Sequence, residues 1–191
     1  WVFSNGRWQP IRNIIQNKKI YVANPDGDGV GISQAIIVGE LAVNLRDEDW
    51  YVFEDNYGTS EEKAFVKYFH GLVPELRKKY EEIYLVRNER FAELAIYDFD
   101  SGERFEPDFL LFLRKKNQDG WRQEQLFVEP KGKHLEACDQ WKEDFLLRIG
   151  DEGNPIKKYV DDNEYSIYGL PFFNREDKWE AFDKALRSEL L

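Results

Sequence analysis

The stretch RFEPDFLLFLRK at residues 104–115 leaves few folds open. From Phe109 to Leu113 every residue is apolar, and because side chains of a strand alternate between faces, both faces of such a strand must be covered. That is the signature of a central strand in a layered core with helices packed on a sheet, an α/β or α+β arrangement. Asp108 then stands at the entrance of a buried element, and a charge placed there needs a reason.

The neighbouring segments supply the layers. Thr59 and Glu62 match a capping box, and Phe65, Phe69, Leu72 and Leu76 recur at helical spacing, predicting a helix over about 60–72 that Pro74 ends, with a second helical piece to about Tyr80. EIYLVRN, RFAELAIYDF, RFEPDFLLFLRK and EQLFVEPK read as four strands of a mostly antiparallel meander, with turns at 100–102 and 117–120. LEACDQWKEDFLLRI places Cys138, Trp141, Phe145 and Ile149 on one helical stripe, which assigns Cys138 to the core; a strand, YSIYGLPFF, and a last helix over about 176–190 follow. Before Gly58 the texture differs. IYVANPDGDGVGIS and QAIIVGELAVNL read as short strands, or a strand and a helix, around a Gly/Asp turn; GDGVGIS lacks both the Lys-Ser/Thr ending of a Walker loop and a full GxGxxG. The division expected is an N-terminal extension or linker, 1–58, packed on a core domain at 59–191.

With 191 residues, 42% apolar and 34% charged, the chain reads as a globular domain, and no window approaches the ~18 apolar residues of a membrane helix. It begins at Trp1 and contains no Met, so a piece of a longer polypeptide is expected, cytosolic in character. One Cys and two His exclude a Cys/His zinc site, so a metal would be held mainly by oxygen. The formal charge of −10 argues against a polyanionic partner, but two stretches are locally basic: 1–24, with Arg7, Arg12, Lys18 and Lys19 and no acid, and 114–134, with six bases against three acids. The acid concentrates in 25–64.

Glu129 and Lys131 stand two apart in LFVEPKGK, and strand geometry turns both to one face. If this strand neighbours the one that follows Asp108, the two carboxylates meet across the ladder and offer several anionic oxygens to a hard cation, Mg²⁺ with Mn²⁺ as a substitute. Pro130 implies an interruption there, freeing its carbonyl for the cation while Lys131 reaches a water or a phosphate oxygen. The plainer alternative is a surface ion pair for Glu129 and Lys131 and a turn cap for Asp108.

Pro107-Asp108 followed by Glu129-Pro130-Lys131 resembles the PD-(D/E)xK signature of the restriction-endonuclease-like nucleases. The surrounding order is similar too: helix, antiparallel strands carrying the two motifs, helix, strand. GTSEEKAFV, FEPDFLLFL and FVEPKGKHL together resemble the C-terminal endonuclease domain of the restriction subunit of type III restriction-modification enzymes. The resemblance implies a restriction-endonuclease-like core with a mixed, mostly antiparallel sheet flanked by helices. It implies Asp108, Glu129 and the Pro130 carbonyl as metal ligands and Lys131 as the residue that orients or activates water. A glutamate from the first core helix is also implied, for which Glu61 and Glu62 both qualify and Glu62 is preferred. Lys133, His134, Gln140 and Lys142 are candidate DNA contacts. The activity implied is Mg²⁺-dependent cleavage of double-stranded DNA in a bacterial cytoplasm. ATP would be used only by a helicase motor elsewhere in the polypeptide, and a modification methyltransferase would be the partner subunit. The alternative from another class is a nuclease-like module that docks those subunits without catalysis.

Overall fold

The computed structural model describes residues 2–4, 7–10, 31–98, 101–115, 122–149 and 165–191, with backbone alone for 2–4, 7–9 and 134–137. Four strands form the central sheet in the order β3 (Tyr80–Arg87), β6 (Phe109–Lys115), β7 (Arg122–Val128) and β8 (Tyr165–Gly169). The first three run antiparallel to their neighbours, and β8 runs parallel to β7. A small ribbon pairs β1 (Val2–Ser4) with β2 (Arg7–Gln9), and another pairs β4 (Ile96–Tyr97) with β5 (Arg104–Phe105). The described helices are α1 (Ser60–Leu76), α2 (Lys133–Ile149) and α3 (Trp179–Leu190). None of them is long and apolar enough to cross a membrane. The molecule is mixed α and β, with a mixed sheet.

The apolar run does what its pattern requires. Phe109, Leu111 and Leu113 enter one buried cluster, with α1, α3 and the segment around Trp50; Leu110 and Phe112 enter a second, with Phe145, Leu146 and Ile149 of α2 and with Phe105 of the ribbon. Strand β7 divides the same way, Leu126 and Val128 to the α1 side and Phe127 to the α2 side. Even its charged residue is satisfied inside: the buried Glu124 carboxylate accepts from Tyr80 Oη at 2.6 Å and pairs with Lys115. Helix α2 lies directly on β8. A Cβ on Gly169 would stand 1.9 Å from the carbonyl oxygen of Leu146, so only glycine permits this approach.

Several expectations need correction. RFAELAIYDF is not a strand of the central sheet: it makes a 3₁₀ turn at Ala92–Leu94 and then the two-residue β4, so β3 pairs directly with β6. Its apolar residues serve the second cluster through Leu94 and Ile96 instead. Pro74 does not end α1, which runs through it to Leu76. In the last turn its missing N–H removes a single bond, while Val73 and Leu76 are still being buried. QAIIVGELAVNL is neither strand nor helix; Ile36 and Val38 are exposed, while Val43 and Leu45 enter the core, Leu41 packs against it and the buried Gln34 bonds to Lys63 O of α1. Cys138 is exposed rather than in the core; among the described side chains of α2 the buried ones are Glu143, Phe145, Leu146 and Ile149. The expected turn at 117–120 and most of IYVANPDGDGVGIS lie outside the described residues.

Candidate active site

The sheet is fitted with charge at one end. Strands β6 and β7 pair Phe109 with Val128, and the same register carried one step further sets Asp108 opposite Glu129. The paired ladder ends at Phe109 and Val128, and Pro107 and Pro130 beyond it have no N–H with which to extend it. On its other side Pro130 forms a parallel bridge with Phe173: the Phe173 N–H donates to Glu129 O at 3.1 Å and the Lys131 N–H to Phe173 O at 2.8 Å. Those bonds turn the carbonyl of Pro130 itself away from Phe173. The Lys131 carbonyl is fixed by Asn174 Nδ2 at 2.8 Å.

Asp108, Glu129 and Lys131 share the α2 face of the sheet. Glu129 Oε2 accepts the Asp108 backbone N–H at 3.0 Å, and Glu129 Oε1 lies 3.0 Å from Lys131 Nζ. The Asp108 backbone carbonyl accepts from Asn88 N at 2.7 Å, tying the end of β3 to the site. Among the described residues no donor reaches the Asp108 carboxylate. Burial pushes that carboxyl well above the usual range, and the charges of Glu129 and Glu62 push it further against Lys131 and Arg87. Glu129 is also raised by burial, with Lys131 and the Asp108 N–H pulling back. Burial draws the Lys131 ammonium down, but Glu129 and Asp139 outweigh it and hold Lys131 above its ordinary value.

Glu62 stands on the opposite, α1 side at the same end of the sheet. It closes the expected capping box with Thr59 and receives Arg87 Nε at 2.5 Å. Arg87 also pairs with Glu89, so one guanidinium serves two carboxylates. Gly58 leaves room for this arrangement, since a Cβ there would lie 2.2 Å from Glu62 Oε2. Glu61 turns elsewhere, to Arg175 at 3.2 Å.

The residues expected to contact DNA are occupied by protein partners. Lys133 pairs with Asp177 at 2.6 Å, and Gln140 donates to Glu143 and Asp144. Lys142 sits 3.2 Å from Asp139 and over the rings of Phe105 and Trp141, and the side chain of His134 lies outside the described residues. Among the described residues of 114–134 the bases also meet acids: Arg114 meets Glu81 and Glu82, Lys115 meets Glu124, and Lys131 meets Glu129 and Asp139. Two residues at the site carry no motif. Arg87 closes the apolar run of EIYLVR, a strand-end charge of the same kind as Asp108, and could have been noticed; Asp139 depends on how α2 docks.

The donor set suits a hard divalent cation. The Asp108 and Glu129 carboxylates stand close enough for their charges to interact, and each carboxylate oxygen of Glu129 retains accepting capacity beyond the bond it already makes. The burial and carboxylate repulsion that raise Asp108, only partly offset by Lys131 and Arg87, are what a cation would relieve. No group of three or more His, Cys, Asp or Glu suited to a metal occurs among the described residues, so water would complete the coordination.

A family model described as a C-terminal domain, HI_1054_C, matches residues 14–188. The chain belongs to the HI_1054_C family. A relative, an uncharacterized protein of Haemophilus influenzae, is 36% identical over 148 residues, covering 72% of this chain and 32% of that protein. This HI_1054_C domain thus spans about a third of that relative's length. No solved structure matches it.

Proposed function

We propose that this domain is a metal-dependent endonuclease that hydrolyses phosphodiester bonds of double-stranded DNA, with a restriction-endonuclease-like core. The observation that carries the reading is the meeting of Asp108, Glu129 and Lys131 just beyond the end of the β6–β7 ladder. Asp108, Glu129 and the Pro130 carbonyl would hold Mg²⁺ or Mn²⁺, which supplies positive charge against the scissile phosphate and a nucleophile near neutral pH. Lys131, kept an ammonium by Glu129 and Asp139, donates to a phosphate oxygen or orients the attacking water. Glu62 adds negative charge behind Asp108 and is itself neutralised by Arg87.

The wider setting follows from the resemblance to type III restriction subunits. The reading includes a helicase motor in the same polypeptide that consumes ATP, a methyltransferase subunit as partner, and a bacterial cytoplasmic location. The test is plasmid cleavage by the full-length polypeptide with Mg²⁺ or Mn²⁺, with and without ATP. Asp108→Ala and Lys131→Ala should each lose at least about 10²-fold in cleavage, the scale on which one transition-state contact counts, while folding persists. Cleavage unchanged in both would leave a docking module without catalysis.

A further inference from the structure

Lys131 is held more firmly than an exposed lysine. Its side chain is 11% exposed, its backbone N–H and carbonyl are both bonded to the segment after β8, and its ammonium meets two carboxylates. One is Glu129, which the metal would share. The other, Asp139 in the second turn of α2, is the nearer: Oδ2 to Nζ is 2.7 Å against 3.0 Å for Glu129. The same oxygen takes Lys142 at 3.2 Å, and Gln140, beside it in sequence, bonds to Glu143 and Asp144 instead.

We infer that Asp139 is a positioning residue, which holds the Lys131 ammonium at the metal edge so that Glu129 is free to bind the cation; this rests on the nuclease reading. Without a second acceptor, Lys131 would depend on Glu129 alone, and metal binding would compete with that ion pair. With Asp139, Glu129 can turn toward the metal without releasing the lysine. Asp139 sits on the helix and the lysine on the sheet, so the contact also sets the distance between α2 and the site. Lys142 shares the carboxylate and rests on Phe105 and Trp141; its positive charge also reaches Glu129, but only Lys131 is ion-paired with that carboxylate.

The experiment compares full-length wild type with Asp139→Ala, Asp139→Asn, Asp139→Glu and, as an α2 control outside the site, Arg148→Ala, which breaks an ion pair to Asp98. Plasmid cleavage is measured over a Mg²⁺ titration, together with the rate of amine-selective labelling of Lys131 read by mass spectrometry. The Ala and Asn variants should lose about 10²-fold in kcat with little change in KM, the cost of a misplacement on the order of 1 Å. Asp139→Glu should recover most of that loss, and Arg148→Ala should cut like wild type. Lys131 should be labelled faster in the Ala variant. Cleavage by Asp139→Ala at the wild-type rate, or equal loss in Arg148→Ala, overturns the inference. If wild type fails to cut, the nuclease reading falls; unchanged labelling of Lys131 in Asp139→Ala then overturns the positioning role separately.

Discussion

Asp108 is a carboxylate placed where ionising is difficult, and the protein accepts the cost. Burial and two neighbouring carboxylates raise its pKa in the folded chain, so its contribution to stability is greatest when it is protonated and is lost as pH rises through the raised value. Asp108→Asn should therefore be more stable than wild type to urea at about pH 8 in EDTA, with the difference shrinking toward about pH 5, where Asp108 is closer to neutral. Mg²⁺ should reverse the order, raising the Tm of wild type and not of the variant, because a ligand that binds only the folded state stabilises it. Equal denaturation midpoints at both pH values would contradict this account. Asp108, Glu129 and Lys131 could be read from the sequence because their relation is local: two neighbouring strands and a period of two. Asp139 could not, since its place depends on the angle at which α2 crosses the sheet, and no spacing encodes that.

At the scale of elements, Gly169 governs how α2 meets β8. Gly169→Ala must push the helix backbone away by more than a side chain can absorb, and overpacking of this kind costs about 1–3 kcal/mol. Denaturant unfolding should show at least that loss, and loosened α2 should also weaken the hold of Asp139 on Lys131. A variant as stable as wild type would mean that helix and strand can separate freely. Element types were legible where one periodicity ran unbroken, as in α1, β6 and β7. RFAELAIYDF misled because its alternating apolar residues are buried by a turn and a short ribbon, which have the same pattern over a few residues but no partner in the central sheet. Cys138 misled because it keeps the helical phase of Phe145 and Ile149 yet lies exposed, and periodicity tells which side of a helix a residue takes but not how far along the helix the core extends.

For the molecule as a whole, the stretch 41–53 ahead of α1 contributes to the core, through Val43, Leu45, Trp50 and Tyr51. Trp50 and Tyr51 are buried among α1 and β3, Trp50 packs on Phe69 at 5.4 Å between ring centroids, and the backbone of Trp50 and Val52 bonds to Leu85. Trp50→Ala should cost about 3–5 kcal/mol, the usual range for a buried aromatic, in urea unfolding. A loss well under about 1 kcal/mol would show that the segment is only attached. The sequence left this part unread because its apolar residues are scattered through loops, which have no period.

The prolines at 107 and 130 have a further consequence. Lying just past the last paired residues of β6 and β7, and having no amide hydrogen to lend, they set how long that seam can be: the fabric ends at Phe109 and Val128, and Asp108 and Glu129 belong to its hem rather than its weave.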